Sequence, residues 1–366
     1  MMTTRARLGA LRLLGRREHC MRWALRAAPM LALLAGACDY PTSLPKWDTQ
    51  WLVPAKSTTL SPGQLLPANV TLASDNSAFL VSVAPVTLSH SLGELCSACV
   101  PLNGQTVAKP AFTATPTDTL RFPTGVSSAT LAGGTVSISI NNGLNFDPIR
   151  PGASARGTLQ LTLTSGGATV GTLTLDGNAD ALPAGQTTTR TITLTGGAVA
   201  GKITVSMTVT STQGDPVRLD TNQRFNVTAT PQSIRFSDVT VSVTGKQVSV
   251  QQQTMDFSDI DQSVIDRVKD PSSLVLTVNN PFAVTGTLTL NFINAAQPIT
   301  KQVTLSGGTT TQRVSFTHQE LQALLGRNVT LSATGTVTAA AAIKITPAQV
   351  VQINTQLELT LGPKEG

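Results

Sequence analysis

Cys96 and Cys99 stand three positions apart in Cys96-Ser-Ala-Cys99, the spacing in this 366-residue chain that most directly invites side-chain chemistry. A C-x-x-C pair can form a local disulfide, supply half of a metal site, cycle as a redox couple or remain as two free thiols. Zinc needs four ligands, and only His90 lies nearby, with His318 far along the chain. Haem attachment requires a histidine after the second cysteine, where Val100 stands. Redox pairs usually open a helix in an α/β setting, and the surrounding sequence is strand-like. A structural disulfide between Cys96 and Cys99 is therefore the expectation, with no metal and no cofactor. Catalysis has little to build on. His90 and His318 are the bases available near neutral pH beyond residue 38, and neither accompanies a recognisable nucleophile motif. Glycine pairs fall at hairpins, with no phosphate-cradling loop among them. A carboxylate pair assembled in space, as in a carbohydrate-active enzyme, is the catalytic option that spacing leaves open. The expectation is no catalytic residue and no enzyme.

Another cysteine, Cys38, closes the apolar stretch AAPMLALLAGA, which follows Arg22 and Arg26 and opens onto polar, proline-containing sequence. A positive flank, a short apolar core and small residues before a cleavage point describe an export signal. The uncharged run is too short for the ~20 apolar residues of a membrane-spanning helix. Gly36-Ala37-Cys38 resembles the lipobox of bacterial lipoproteins, although Ala35 stands where that motif usually carries leucine. The resemblance implies lipidation of Cys38 and an exported protein anchored to the cell envelope, in either the inner or the outer membrane. Cleavage after Ala35-Gly36-Ala37 by an ordinary signal peptidase is the rival. Beyond the leader the chain holds Cys38, Cys96 and Cys99, an odd number that lipidation explains. Residues 1–37 read as the leader, and Met21 begins a compact version of it.

The leader also explains the charge. The chain is formally +6, and residues 1–37 hold seven arginines against Glu18, so the remainder is neutral. Nucleic-acid binding, which requires basic residues to displace counterions from phosphates, is excluded. The partners expected are a membrane, through the lipid, and an envelope protein or ligand.

From Thr58 onward, apolar residues alternate with Thr and Ser at period two, as in Lys202-Ile-Thr-Val-Ser-Met-Thr-Val. Such segments bury one face and wet the other, and they return every 10 to 15 residues with glycine turns between. The fold class expected is all-β: two tandem immunoglobulin- or fibronectin-like antiparallel β-sandwiches with one or two short helices. An internal repeat supports two copies. Val136–Asn142 (VSISINN) matches Leu274–Asn280 (LVLTVNN), and Gly157-Thr-Leu-Gln-Leu matches Gly286-Thr-Leu-Thr-Leu. Arg190 aligns with Arg313 and Ile203 with Val329, at offsets that drift only by loop lengths. The divisions predicted are 38–57 as anchor and linker, 58–232 as the first sandwich and 233–366 as the second. Trp47, Thr49, Trp51 and Val53 share one face of an extended segment, suited to a first strand or to a bilayer interface.

The segment Val278-Asn-Asn-Pro-Phe, followed by Val284-Thr-Gly-Thr-Leu-Thr-Leu, resembles late-embryogenesis-abundant type 2 domains, also called water-stress and hypersensitive-response domains. The first copy has Gly143 in place of the proline. The resemblance implies an immunoglobulin-like sandwich without catalytic residues. Two helices are also predicted: one over Ile260, Val264 and Val268, stopped by Asp270-Pro271, and one capped by Thr317 with Glu320 and ended by Gly326, leaving His318 solvated. Together these features predict a membrane-anchored lipoprotein with a non-catalytic structural or interaction role. Binding of a lipid or another apolar ligand between sheets is the alternative.

Overall fold

In Lys202–Ser211, Ile203, Val205, Met207 and Val209 are buried while Thr204, Ser206 and Thr208 are half-buried. Period-two alternation is thus realised as a strand with one face in a core, each buried aliphatic side chain contributing about 1.5–3 kcal/mol. The computed structural model describes residues 47–363, so the leader and Cys38 lie outside the described residues.

The chain enters on β1 (Thr49–Leu60). Short strands β2 (Val70–Leu72) and β3 (Phe79–Val81), then β4 (Val86–Ser91) and α1 (Leu92–Leu95), follow. Next come β5 (Thr106–Ala108), β6 (Phe112–Ala114), β7 (Thr117–Arg121) and the long β8 (Val126–Asn142). After them run β9 (Thr158–Ser165), β10 (Ala168–Asp176), β11 (Thr187–Thr193) and β12 (Gly197–Val199). The strand described first, Lys202–Ser211, is β13; β14 (Pro216–Arg218) and β15 (Arg224–Val241) complete this half.

The second half contains β16 (Lys246–Asp256), α2 (Gln262–Ile265), β17 (Val268–Asn280), β18 (Val284–Ile293) and β19 (Ile299–Leu305). It continues through β20 (Gly308–Phe316), α3 (His318–Leu324), β21 (Asn328–Ala339), β22 (Ile343–Ile345) and β23 (Val351–Leu361).

All the pairings are antiparallel, and the all-β sandwich class expected from sequence is what the chain forms. One sandwich sets β10-β9-β13 against β11-β8-β15; the other sets β19-β18-β21-β16 against β20-β17-β23-β1. Strand for strand, β8, β9, β10, β11, β13 and β15 correspond to β17, β18, β19, β20, β21 and β23. The edge-to-face pair Phe292–Phe316, with centroids 5.4 Å apart, joins the two sheets of the second sandwich.

The predicted divisions at 57/58 and 232/233 need correction. β1 pairs with β23 from Thr49↔Leu361 to Leu60↔Val351, so residues 49–57 are a strand of the second sandwich, not a linker. The first sandwich is inserted between β1 and β16. β15 also runs unbroken through position 232, because its pairing with β8 resumes at Arg235 after a bulge at Ser233. The described residues from Asp48 onward accordingly group as one compact unit.

The repeat pairs Asn142 with Asn280 and Gly157 with Gly286 at equivalent strand positions. A Cβ on either glycine would overlap a carbonyl of the neighbouring strand, Thr210 for Gly157 and Thr336 for Gly286. Close backbone approach therefore explains why glycine stands at both sites. The alignment of Arg190 with Arg313 is one residue out of register. Thr187 faces Asn141 whereas Thr309 faces Asn279, so buried Ile192 corresponds to buried Val314. A one-residue slip puts the two arginines on opposite faces.

The helix predicted over residues 260–268 shrinks to the single turn of α2, capped by Asp261, whose side chain accepts from the Ser263 N–H. Val268 instead begins β17, where pairing with β23 outweighs helical spacing. α3 forms as predicted, with Thr317 and Glu320 in a reciprocal capping box and Gly326 at φ +73° beyond its end.

Candidate functional site

Cys96 ends α1 and Cys99 sits in the 3₁₀ turn Ser97–Leu102 that follows. Their sulfurs are 2.01 Å apart, and both residues are buried beside Leu92 and Leu95. Sulfurs joined to each other and shielded from water have no thiolate to offer a metal or substrate. The local sequence builds this corner, because Ser91 and Glu94 form a capping box that starts the turn. The Ser91 backbone and hydroxyl donors also hold the Glu94 carboxyl below its usual range.

The histidines do not converge on this pair. His90, on β4, places Nδ1 3.8 Å from Glu94 on a partly exposed surface. His318 belongs to α3 of the other sandwich, where its Nδ1 lies 2.7 Å from the Val268 carbonyl oxygen. It is exposed, as expected, and one ring nitrogen is also tied to β17, a contact that its place in the capping turn alone did not reveal. Among the described residues no three His, Cys, Asp or Glu side chains gather into a group able to hold a metal ion.

Lys109 is the ionisable group that sequence reasoning missed. It follows β5 and is fully buried, with Nζ donating to Ser211 Oγ at 2.7 Å and to the Thr212 carbonyl oxygen. The rings of Phe112 and Phe146 lie 4.9 and 5.5 Å from the ammonium, so aromatic faces stand where a carboxylate would be expected. Burial lowers its pKa to about 8. Full burial keeps any reagent from the amine, and its work is to hold the end of β13 against β5. No pattern in Val107-Ala-Lys109-Pro marks this burial.

Two concavities among the described residues bear on ligand binding. The cavity between the sheets of the second sandwich measures about 20 Å³ and is walled by Leu276, Leu288, Leu290, Ile353 and Gln253. Gln253 Nε2 has no hydrogen-bond partner there, and the space suits about one water molecule. A drug-sized or lipid ligand needs several hundred Å³.

The second concavity is a surface groove of about 360 Å³ between the β2–β3 hairpin and β15, lined by Asn69, Thr71, Leu80, Ser82, Pro231 and Ser233. Its floor exists because β15 pairs with β4 only as far as Ala229 and with β3 only from Arg235. Pro231 has no N–H to offer, and Ser233 adopts φ +48°, so the intervening edge is left uncovered. Arg235 fixes one wall by donating to Asp75 at 2.9 Å and to Ser77 at 2.8 Å. Hydrogen bonds from Ser77, with the Arg235 guanidinium, bring the Asp75 pKa down to about 2.

No protein-family model matches the chain, and no curated protein does. Among solved structures it is similar to a protein described as secreted from Parabacteroides distasonis ATCC 8503, at 10% identity and TM-score 0.30, over 87% of this chain and 100% of that one. It is also similar to the top component of cowpea mosaic virus, at 10% identity and TM-score 0.22, over 79% of this chain and 90% of that one. A third is the tandem CBM22 domain of Xyn10C from Paenibacillus barcinonensis, at 9% identity and TM-score 0.17, over 77% and 98%. Scores this low carry no argument about role. The sandwich assignment rests on the strand pairing of this chain.

Proposed function

We propose that this chain is an exported lipoprotein, held at the cell envelope by acyl chains on Cys38, whose two nested sandwiches serve a non-catalytic structural or interaction role. One observation carries the proposal: the export-type segment Arg22–Cys38 ends ten residues before Asp48, and β1 follows immediately. A lipid on Cys38 would pull on a strand paired along its length with β23, so the anchor would engage the folded body directly. The neutral charge of the chain beyond the leader fits a protein tethered by acyl chains and not by basic residues. The resemblance of Val278-Asn-Asn-Pro-Phe to late-embryogenesis-abundant type 2 domains supports the non-catalytic role.

Within this proposal the groove beside β15 is the interaction surface, since it joins an uncovered strand edge to mixed polar and apolar walls. The alternative, an apolar ligand held between sheets, is disfavoured by the cavity of about 20 Å³ in the second sandwich. Fractionation of bacteria producing the full chain tests the proposal. Wild-type protein should sediment with membranes and Cys38→Ala should not sediment in processed form; equal sedimentation of both would overturn it.

A further inference from the structure

The exposed large apolar side chains of the described residues are unevenly placed. Trp47, Trp51 and Leu52 are 67%, 45% and 61% exposed and fall within six positions, whereas Val100 and Ile293 are isolated in the sequence. β1 is an edge strand, and its first residues pair only with β23, Trp51 opposite Leu359 and Leu52 opposite Glu358. Successive strand residues point to opposite faces, so Trp51 and Leu52 together flank the edge at one tip of the sandwich. Contact with β16 comes farther along, where Thr58 Oγ1 donates to the Gln251 carbonyl oxygen.

From these placements we infer that the Trp51–Leu52 tip of β1 rests in the interfacial layer of a lipid bilayer, an inference that depends on the acylation of Cys38. The length of chain between the two supports it. Asp48 lies ten positions after Cys38, a stretch that spans at most roughly 36 Å, which keeps the tip within reach of the membrane that holds the acyl chains. A tethered surface also needs little intrinsic affinity, because the anchor fixes its local concentration. Tryptophan combines an apolar body with an N–H donor, the character enriched at bilayer interfaces. The acids beside the tip are neutralised: Asp48 pairs with Lys269 and Glu358 with Arg313, so neither presents an unpaired charge to anionic headgroups.

The tryptophans make the test direct. The chain has three, and Trp23 lies in the leader, so the processed protein carries only Trp47 and Trp51. Trp47→Phe leaves Trp51 as the sole indole. The acylated protein would be reconstituted into phosphatidylethanolamine–phosphatidylglycerol vesicles with or without lipids brominated near the glycerol end of their chains, after its mass has confirmed acylation. Brominated lipid should quench Trp51 emission roughly two-fold. Leu52→Glu in the same background should reduce that quenching while leaving the far-ultraviolet circular dichroism unchanged. Acylated protein whose Trp51 is not quenched would overturn the inference and leave the lipid anchor standing. A processed chain without acyl mass would overturn both.

Discussion

Asn142 and Asn280 are buried at the same point of the two sandwiches and make the same three hydrogen bonds. Asn142 Nδ2 donates to the carbonyls of Phe146 and Leu182 at 2.9 and 2.6 Å, and its Oδ1 accepts from the Leu144 N–H at 3.0 Å. Asn280 does so with Val284 and Ser306 at 3.1 and 3.0 Å, and with the Phe282 N–H at 3.1 Å. Each side chain ties the end of its strand to the following segment and to a distant turn, satisfying backbone groups that water cannot reach. Asn142→Ala or Asn280→Ala should each cost about 2–4 kcal/mol in urea unfolding, because three partners are stranded at once. Losses below about 0.5 kcal/mol would show that the tie is not structural.

Lys109 yields a pH dependence. Its pKa in the fold, about 8, lies below its ordinary value of 10.5, so between those values the unfolded chain binds more protons than the folded one. Its contribution to stability therefore rises with pH from about 8 to 10.5. Lys109→Met should remove that rise, since the variant has no amine to titrate. Unfolding curves across this pH range would check it, and an unaltered slope in the variant would refute it.

Gly286→Ala should be strongly destabilising, by about 2–4 kcal/mol, because the added Cβ meets the Thr336 carbonyl. Gly157→Ala should behave alike against Thr210. Thermal unfolding that leaves either variant within a degree of wild type would contradict the close approach.

Removing residues 1–60 should expose the edge of β23 and destabilise the second sandwich more than the first. Hydrogen exchange should show faster exchange in β23 and β17, while β8 and β15 keep their protection. Equal protection in both sandwiches would sink the nested arrangement.

The sequence made some of these features readable and hid others. Period-two alternation in β13 and the VSISINN and LVLTVNN strands fixed strands, faces and duplication, because burial parity is local. The Thr317–Glu320 cap was readable for the same reason. The partner of β1 was not, since alternation identifies a strand but cannot say that it pairs with a strand some 300 positions later, as Leu60 does with Val351. Arg190 and Arg313 share identity but not register, because the parity of Ile192 and Val314 decides which positions correspond. Lys109 was hidden because its burial depends on Phe112, Phe146 and Ser211, brought together only by the fold.

The proposed role depends most directly on Cys38. Mass spectrometry of the amino-terminal peptide, from protein extracted out of bacterial membranes, measures it. Processing and lipidation at Cys38 should give a peptide that begins at Cys38 and carries the added mass of acyl chains. A peptide that begins elsewhere, or an unmodified Cys38, would contradict it.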